Sequence, residues 1–128
     1  AMQRDVLELQ NQAETEDGTV ERSFLHVLDA CDAVLLTLNW LKMQSKCLEA
    51  FNIANSDLVS IQKLLEEIKK VTQVEINTQP AIYQNQELSH LGANIDKAKQ
   101  TLNWTPKRSL TQMIEDEWRF YLNTLKGN

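Results

Sequence analysis

Side chains able to do chemistry near neutral pH are few in this sequence. It holds two histidines (His26, His90), two cysteines (Cys31, Cys47), two tyrosines (Tyr83, Tyr121) and three glycines (Gly18, Gly92, Gly127). A loop that cradles phosphate needs glycines close together, so that backbone amides can approach the anion. Glycines this far apart exclude one. A tyrosine acting as a base needs a nearby cation to lower its phenol pKa. Four positions on stand Glu87 after Tyr83 and Leu125 after Tyr121, so no such Tyr-Lys pair exists. The histidines and cysteines have no metal-ligand spacing. A Cys-His pair assembled by folding is the remaining nucleophilic option, but Cys31 falls in an apolar helix read as buried, where a thiol is inert. His26, among apolar neighbours, reads as a structural histidine. No catalytic residue and no metal ligand is assigned.

The elements around these residues suit one domain, 1–128, large enough to bury most of the surface its unfolded chain exposes. A net charge of −5 with 42% apolar residues is ordinary for a globular chain and too hydrophobic for disorder. An acidic chain has no electrostatic footprint for nucleic acid; Lys97, Lys99, Lys107 and Arg108 read as a solvated basic face. The two cysteines read as reduced, small hydrophobes. With no signal peptide ahead of the first polar residues, a cytoplasmic protein is expected.

The stretch VLDACDAVLLTLNWL, residues 27–41, is apolar on nearly every side at helical spacing, with a polar ribbon only through Asp29, Asp32 and Asn39. It is too short and too charged to span a bilayer, and predicts a central buried helix covered on more than one side. Before it, residues 3–12 read as a short amphipathic helix and 14–17 as an acidic loop, so that 1–16 are peripheral. Residues 19–27 alternate as a strand. After it come a strand at 48–54, a helix capped by Ser60 with an outer Glu66–Lys70 pair, and a strand at 74–78 ended by Pro80. A loop follows over 79–92. Asn94 opens a short helix that Asn103 closes in the left-handed conformation. The capping box Ser109-Leu110-Thr111-Gln112 opens the last helix, whose inner stripe is Leu110, Ile114, Trp118, Tyr121 and Leu125. Trp104 and Trp118 read as core anchors. The fold class is α/β, a small domain of about three short strands and five helices.

Three segments, in order, resemble the C-terminal half of NAD-dependent nucleotide-sugar epimerases and dehydratases of the extended short-chain dehydrogenase type, with the UDP-glucose 4-epimerases nearest. Asp17-Gly18-Thr19 and Glu21-Arg22-Ser23-Phe24-Leu25-His26-Val27-Leu28-Asp29 are similar to the family's D-G-T…R-D-[YF]-[IV]-H-V-x-D. Phe51-Asn52-Ile53-Ala54 and Val59-Ser60-Ile61 resemble F-N-[LI]-G…V-S-I. Asp96-Lys97-Ala98-Lys99, Leu102-Asn103-Trp104-Thr105-Pro106-Lys107 and Ser109-Leu110 are similar to K-A-x-x-x-L-G-W-x-P-x-x-S-L.

In that family an N-terminal Rossmann half binds NAD and supplies the catalytic tyrosine and lysine, while the C-terminal half closes over the nucleotide-sugar. The resemblance implies a substrate lobe without its Rossmann half, binding no NAD itself and not catalytic alone; within a longer chain it would serve an isomerase. It implies UDP-sugar recognition through Arg22, at the family's diphosphate-pairing arginine, where a guanidinium fork suits the anion. An arginine paired with a neighbouring carboxylate at a strand edge is the other reading of that residue. Glu87 stands where the family's R-x-G-D places an aspartate near the ribose. Gln84 and Gln86 replace that motif's arginine and glycine, Ser23 the aspartate after Arg22, and Ala54 a strand-end glycine. These departures imply weakened binding, and the alternative function is a stand-alone interaction or oligomerisation module. Partners expected are a UDP-sugar and either a second copy, as a homodimer across the apolar helix, or the missing Rossmann half; no membrane and no nucleic acid.

Overall fold

The structure is a computed structural model that describes residues 7–11, 20–82 and 90–126. Its elements are β1 (Leu7–Asn11), β2 (Glu21–Ser23), α1 (Val27–Leu41), β3 (Leu58–Ser60), α2 (Ile61–Thr72), β4 (Thr78–Ile82), β5 (His90–Leu91), α3 (Asp96–Leu102) and α4 (Leu110–Lys126). β1 and β4 form a parallel pair. β2 is the centre of a second sheet, antiparallel to β3 and parallel to β5. Among the described residues there are thus five strands and four helices, where about three and five were expected, and the class is α/β.

Local capping chemistry sets the helix ends. The Ser60 hydroxyl accepts the Lys63 N–H at 3.1 Å and opens α2. The Ser109 hydroxyl accepts from Gln112 N while the Gln112 carboxamide accepts from Ser109 N, a reciprocal box at 3.2 Å each way. Asn103 closes α3 at φ 52°. The Asn94 carboxamide accepts the Asp96 N–H at 2.8 Å. On the outer face of α2 the partner of Lys70 is Glu67, at 3.6 Å, rather than Glu66.

The strands depart more from expectation. The segment expected as an N-terminal helix contains β1, whose five residues pair with Thr78–Ile82; two apolar residues are a weak helical signal, and a distant partner overrides it. The acidic loop and the Asp17-Gly18 turn lie outside the described residues. The strand at 19–27 is only Glu21–Ser23, because the His26 ring caps α1 and Val27 is already helical. Residues 48–54 form no strand. The strand expected at 74–78 runs instead from Thr78 to Ile82 and continues through Pro80. A two-stranded sheet tolerates a proline because one side of each strand needs no donor. β5 lies within the expected loop.

The largest correction concerns α1. Its bounds match expectation, but it is not buried: Val27 is 68% exposed, Leu35 59% and Val34 58%, and Cys31 is exposed too. The buried positions are Asp29 and Ala33. These two lie on one helical row with the half-buried Thr37 and Trp40. The core they join consists of Ala33, Ile95, Ala98, Leu102 and Trp104, with Leu25, Trp40, Phe51 and Ile53 packed against it. Trp40 meets Phe51 edge to face, centroids 5.4 Å apart.

Asp29 is buried as an ion because it is fully partnered. Its Oδ2 accepts the backbone N–H groups of Lys107 and Arg108, each at 3.1 Å. Its Oδ1 accepts from the Arg108 guanidinium at 2.5 Å, and the same nitrogen reaches Asp32 at 3.1 Å. Arg108, expected on a solvated face, is therefore the counter-ion of α1. Burial pushes the Asp29 carboxyl up, but the Arg108 and Lys107 N–H groups and the guanidinium outweigh it and hold it below the ordinary value of 3.8. The unfolded chain then takes up a proton that the folded chain refuses. Stability from this group is complete above that ordinary value and is lost as pH falls through the depressed one. Asp29→Ala should cost about 3 kcal/mol in urea unfolding at neutral pH. It should also flatten the acid limb of stability below the ordinary aspartate range. A loss under about 1 kcal/mol would show that the carboxylate does not organise this end of the fold.

Candidate functional site

Arg22 sits at the middle of the central strand β2, opposite Val59 on one side and Leu91 on the other. Its guanidinium Nη1 donates to the Glu21 carbonyl at 2.9 Å. It lines a cleft of about 250 Å³ together with Ser23, Leu25, Ile53, Ala54 and Gly92. One cation in a mostly apolar lining suits a ligand with a ring at one end and an anion at the other.

Two local features set its width. The Ser23 hydroxyl donates to the Asn55 carbonyl at 2.7 Å, tying β2 to the extended segment that supplies Ile53 and Ala54. Opposite, Gly92 faces the side chain of Leu58: a Cβ there would come within 3.1 Å of Leu58 Cδ2. A side chain at this position would press on Leu58, which would have to shift by a few tenths of an ångström. Glu87, with Gln84 and Gln86, lies outside the described residues; the chain resumes at His90, which pairs with Glu21 beside Arg22.

The other residues singled out in the sequence have structural roles. The buried His26 accepts the Leu28 N–H at Nδ1, at 3.0 Å. Its proton therefore sits on Nε2, which donates to Asp116 on α4 at 3.1 Å. Both ring nitrogens are engaged, as expected of a structural histidine. Trp104 is a buried anchor, and its Nε1 donates to the Asp29 carbonyl at 2.9 Å. Trp118 is half-buried, stacks on Tyr121, and lines an apolar groove of about 400 Å³ between α2 and α4. Lys97 pairs with Glu49 and lies over the Phe51 ring, 5.3 Å from its centroid; the ion pair holds the Glu49 carboxyl below its usual range. Among the described residues no group of three or more His, Cys, Asp or Glu is placed to hold a metal ion. A wider polar groove of about 880 Å³ separates the start of α2 from the start of α4, lined by Asp57 and Glu67 together with Lys63, Lys107 and Arg108.

What sequence reasoning missed is the role of Arg108. A signal for it existed: two aspartates on an otherwise apolar helix, with no cation within a turn, require a partner from elsewhere in the chain.

The family described as GDP-mannose 4,6 dehydratase matches residues 1–117, and the chain belongs to it. The chain is 31% identical over 114 residues to the UDP-glucose 4-epimerase of Rhizobium meliloti (strain 1021), covering 89% of this chain and 34% of that one. A crystal structure of a UDP-glucose 4-epimerase superposes with a TM-score of 0.83 at 26% identity, over 94% of this chain and 37% of that one. The UDP-glucose-4-epimerase of Stenotrophomonas maltophila, with bound NAD and formylated UDP-arabinopyranose, superposes at 0.82 with 23% identity and the same coverage. The chain spans about a third of the length of the curated relatives it matches.

The Ser23 tie can be tested directly. Ser23→Ala should lower stability by about 1 kcal/mol, the net worth of one part-buried hydrogen bond. Faster amide exchange should follow around Asn55, while α4 keeps its protection. Unchanged exchange at Asn55 would show that the hydroxyl does not hold the cleft wall.

Proposed function

We propose that this chain is the C-terminal, substrate-side lobe of a cytoplasmic nucleotide-sugar epimerase, and that it recognises a UDP-sugar but does not epimerise it alone. The observation that carries this reading is the position of Arg22, on the central strand and lining a cleft whose other walls are mostly apolar. There the guanidinium would pair with the diphosphate, and the apolar walls would border the rest of the ligand. Glu87 would stand near the ribose. The UDP-glucose 4-epimerase relatives and the neighbour named with formylated UDP-arabinopyranose support the ligand class.

NAD does not fit the residues of this chain. Its three scattered glycines offer no loop through which backbone amides could meet a pyrophosphate, and Gly92 is engaged with Leu58 instead. The cofactor would belong to a second lobe, together with the acid-base pair. The chain alone has a binding function, and the reaction would need that lobe.

Two measurements test the proposal. UDP at about ten times its Kd should stabilise the fold by about 1.4 kcal/mol, a rise in Tm of roughly 3–6 °C. Arg22→Ala should abolish the rise. Purified chain with added NAD should not interconvert UDP-glucose and UDP-galactose. A flat thermal response at millimolar UDP would favour an interaction module that has lost its ligand; turnover by the chain alone would overturn the division into lobes.

A further inference from the structure

The helix pair α2–α4 is tied on one side and open on the other. The tie lies near the start of both helices, where the Thr111 hydroxyl donates to Glu67 at 3.1 Å. The open side is the apolar groove of about 400 Å³, bordered by Leu64, Ile68 and Thr72 of α2 and by Met113, Trp118 and Tyr121 of α4. α2 carries a clear apolar stripe, yet none of its residues is fully buried. On α4 the stripe expected to face inward is buried at Ile114 only, while Tyr121 is 50% exposed and Leu125 57%. Helices start side by side here but differ in length, 12 residues in α2 against 17 in α4. At about 1.5 Å per residue, the last turn of α4 therefore runs on past the end of α2, and Leu122 and Leu125 lie exposed on that overhang.

Charge marks the same face. Glu117 lines the groove on the α4 side. Across it, the row Leu65–Lys69 flanks the row Leu64–Ile68–Thr72, on the side of α2 away from Glu67. Lys69 and Glu117 are both exposed, and neither side chain has a partner among the described residues. The neighbouring charges are satisfied within their own helices, Lys70 by Glu67 and Arg119 by Asp116.

We propose that this face binds a second copy of the chain. Two α2–α4 pairs stack about a two-fold axis and close a four-helix bundle, each α4 lying antiparallel across the other copy's α2. The face is self-complementary in charge: an axis at the level of Ile68 and Thr72 sets Glu117 of each copy against Lys69 of the other. It is self-complementary in length as well. Reversal of direction lays the overhanging Leu122 and Leu125 of one copy over the start of the other α2, where Leu64 and Leu65 are half-covered. The dimer expected across α1 has no such match, because the acids of that helix, Asp29 and Asp32, are already held by Arg108. The groove shares no residue with the Arg22 cleft. The proposal is thus independent of the substrate-lobe reading, and its failure would leave that reading standing.

Sedimentation velocity over a micromolar dilution series is the test. The chain should form a reversible dimer. Leu125→Glu, at an exposed position outside the chain's own core, should weaken it at least about 10-fold with circular dichroism unchanged. Glu117→Lys alone and Lys69→Glu alone each set like charges together at both symmetric pairs, and each should weaken the dimer at least about 10-fold. Combined in one chain they should restore the parent affinity to within about 3-fold, which a merely structural role for either residue would not do. Leu35→Glu on α1 should leave the dimer unchanged. A monomer throughout the series, a dimer indifferent to Leu125→Glu, or single reversals that the double variant fails to rescue would each overturn the proposal. A dimer broken by Leu35→Glu assigns the surface to α1 and overturns it too.

Discussion

The buried carboxylate of Asp29 is the constraint on which the rest of this fold depends. A charge in the interior is costly unless all its lone pairs find donors. Here they do, in two backbone N–H groups and a guanidinium that belong to the turn before α4. Trp104, from the same turn, donates to the Asp29 carbonyl from the other side of the residue. The first turn of α1 is thus fixed to the segment between α3 and α4. His26, three residues earlier, reaches Asp116 on α4 itself. Two polar contacts from one helix start tie α1 to α4 and the segment ahead of it, and α4 in turn packs against α2. Without them, little apolar contact would orient these helices, since the inward row of α1 is an aspartate, an alanine, a threonine and a tryptophan.

That inward row explains why the outward face is so apolar. Within the 15 residues of α1, the positions that enter this chain's own core are, Trp40 apart, the small or polar ones, and most leucines and valines are left outside. Such a distribution would be an aggregation hazard in a self-sufficient domain. The helix therefore borders two apolar regions. One is closed by Arg108 and Trp104 within this chain. The other is bounded by Leu25, Ile53 and the outer face of α1.

How much was legible in the sequence follows from the range of each interaction. Caps at Ser60, Asn103 and Ser109 act within four residues, so the ends of α2, α3 and α4 could be read locally. Strand pairing acts over tens of residues. β1 finds its partner at Thr78–Ile82, and nothing within residues 3–12 signals that. The orientation of α1 was illegible for a related reason: a helix apolar on nearly all sides has no preferred inner face by periodicity. The decision falls to Arg108, 79 residues from Asp29 in the chain. Arg22 was singled out through the motif around it, and in the structure it lines a cleft beside β2. The tie between Ser23 and Asn55 was not legible, because a hydroxyl replacing a carboxylate reads as a loss until its acceptor is seen.

Leu25 and Ile53 connect the two surfaces. Both side chains line the Arg22 cleft, and both also line the cleft against α1. A close-packed wall two side chains thick transmits displacement, because neither face can move without the other adjusting. A change of rotamer at Leu25 or Ile53 would therefore alter both clefts, including the one that Arg22 lines. The same shared wall gives a physical reason for Ser23 to hold Asn55. That bond ties the extended segment to β2, where the main chain of residues 51–54 has no described hydrogen-bond partner to do so.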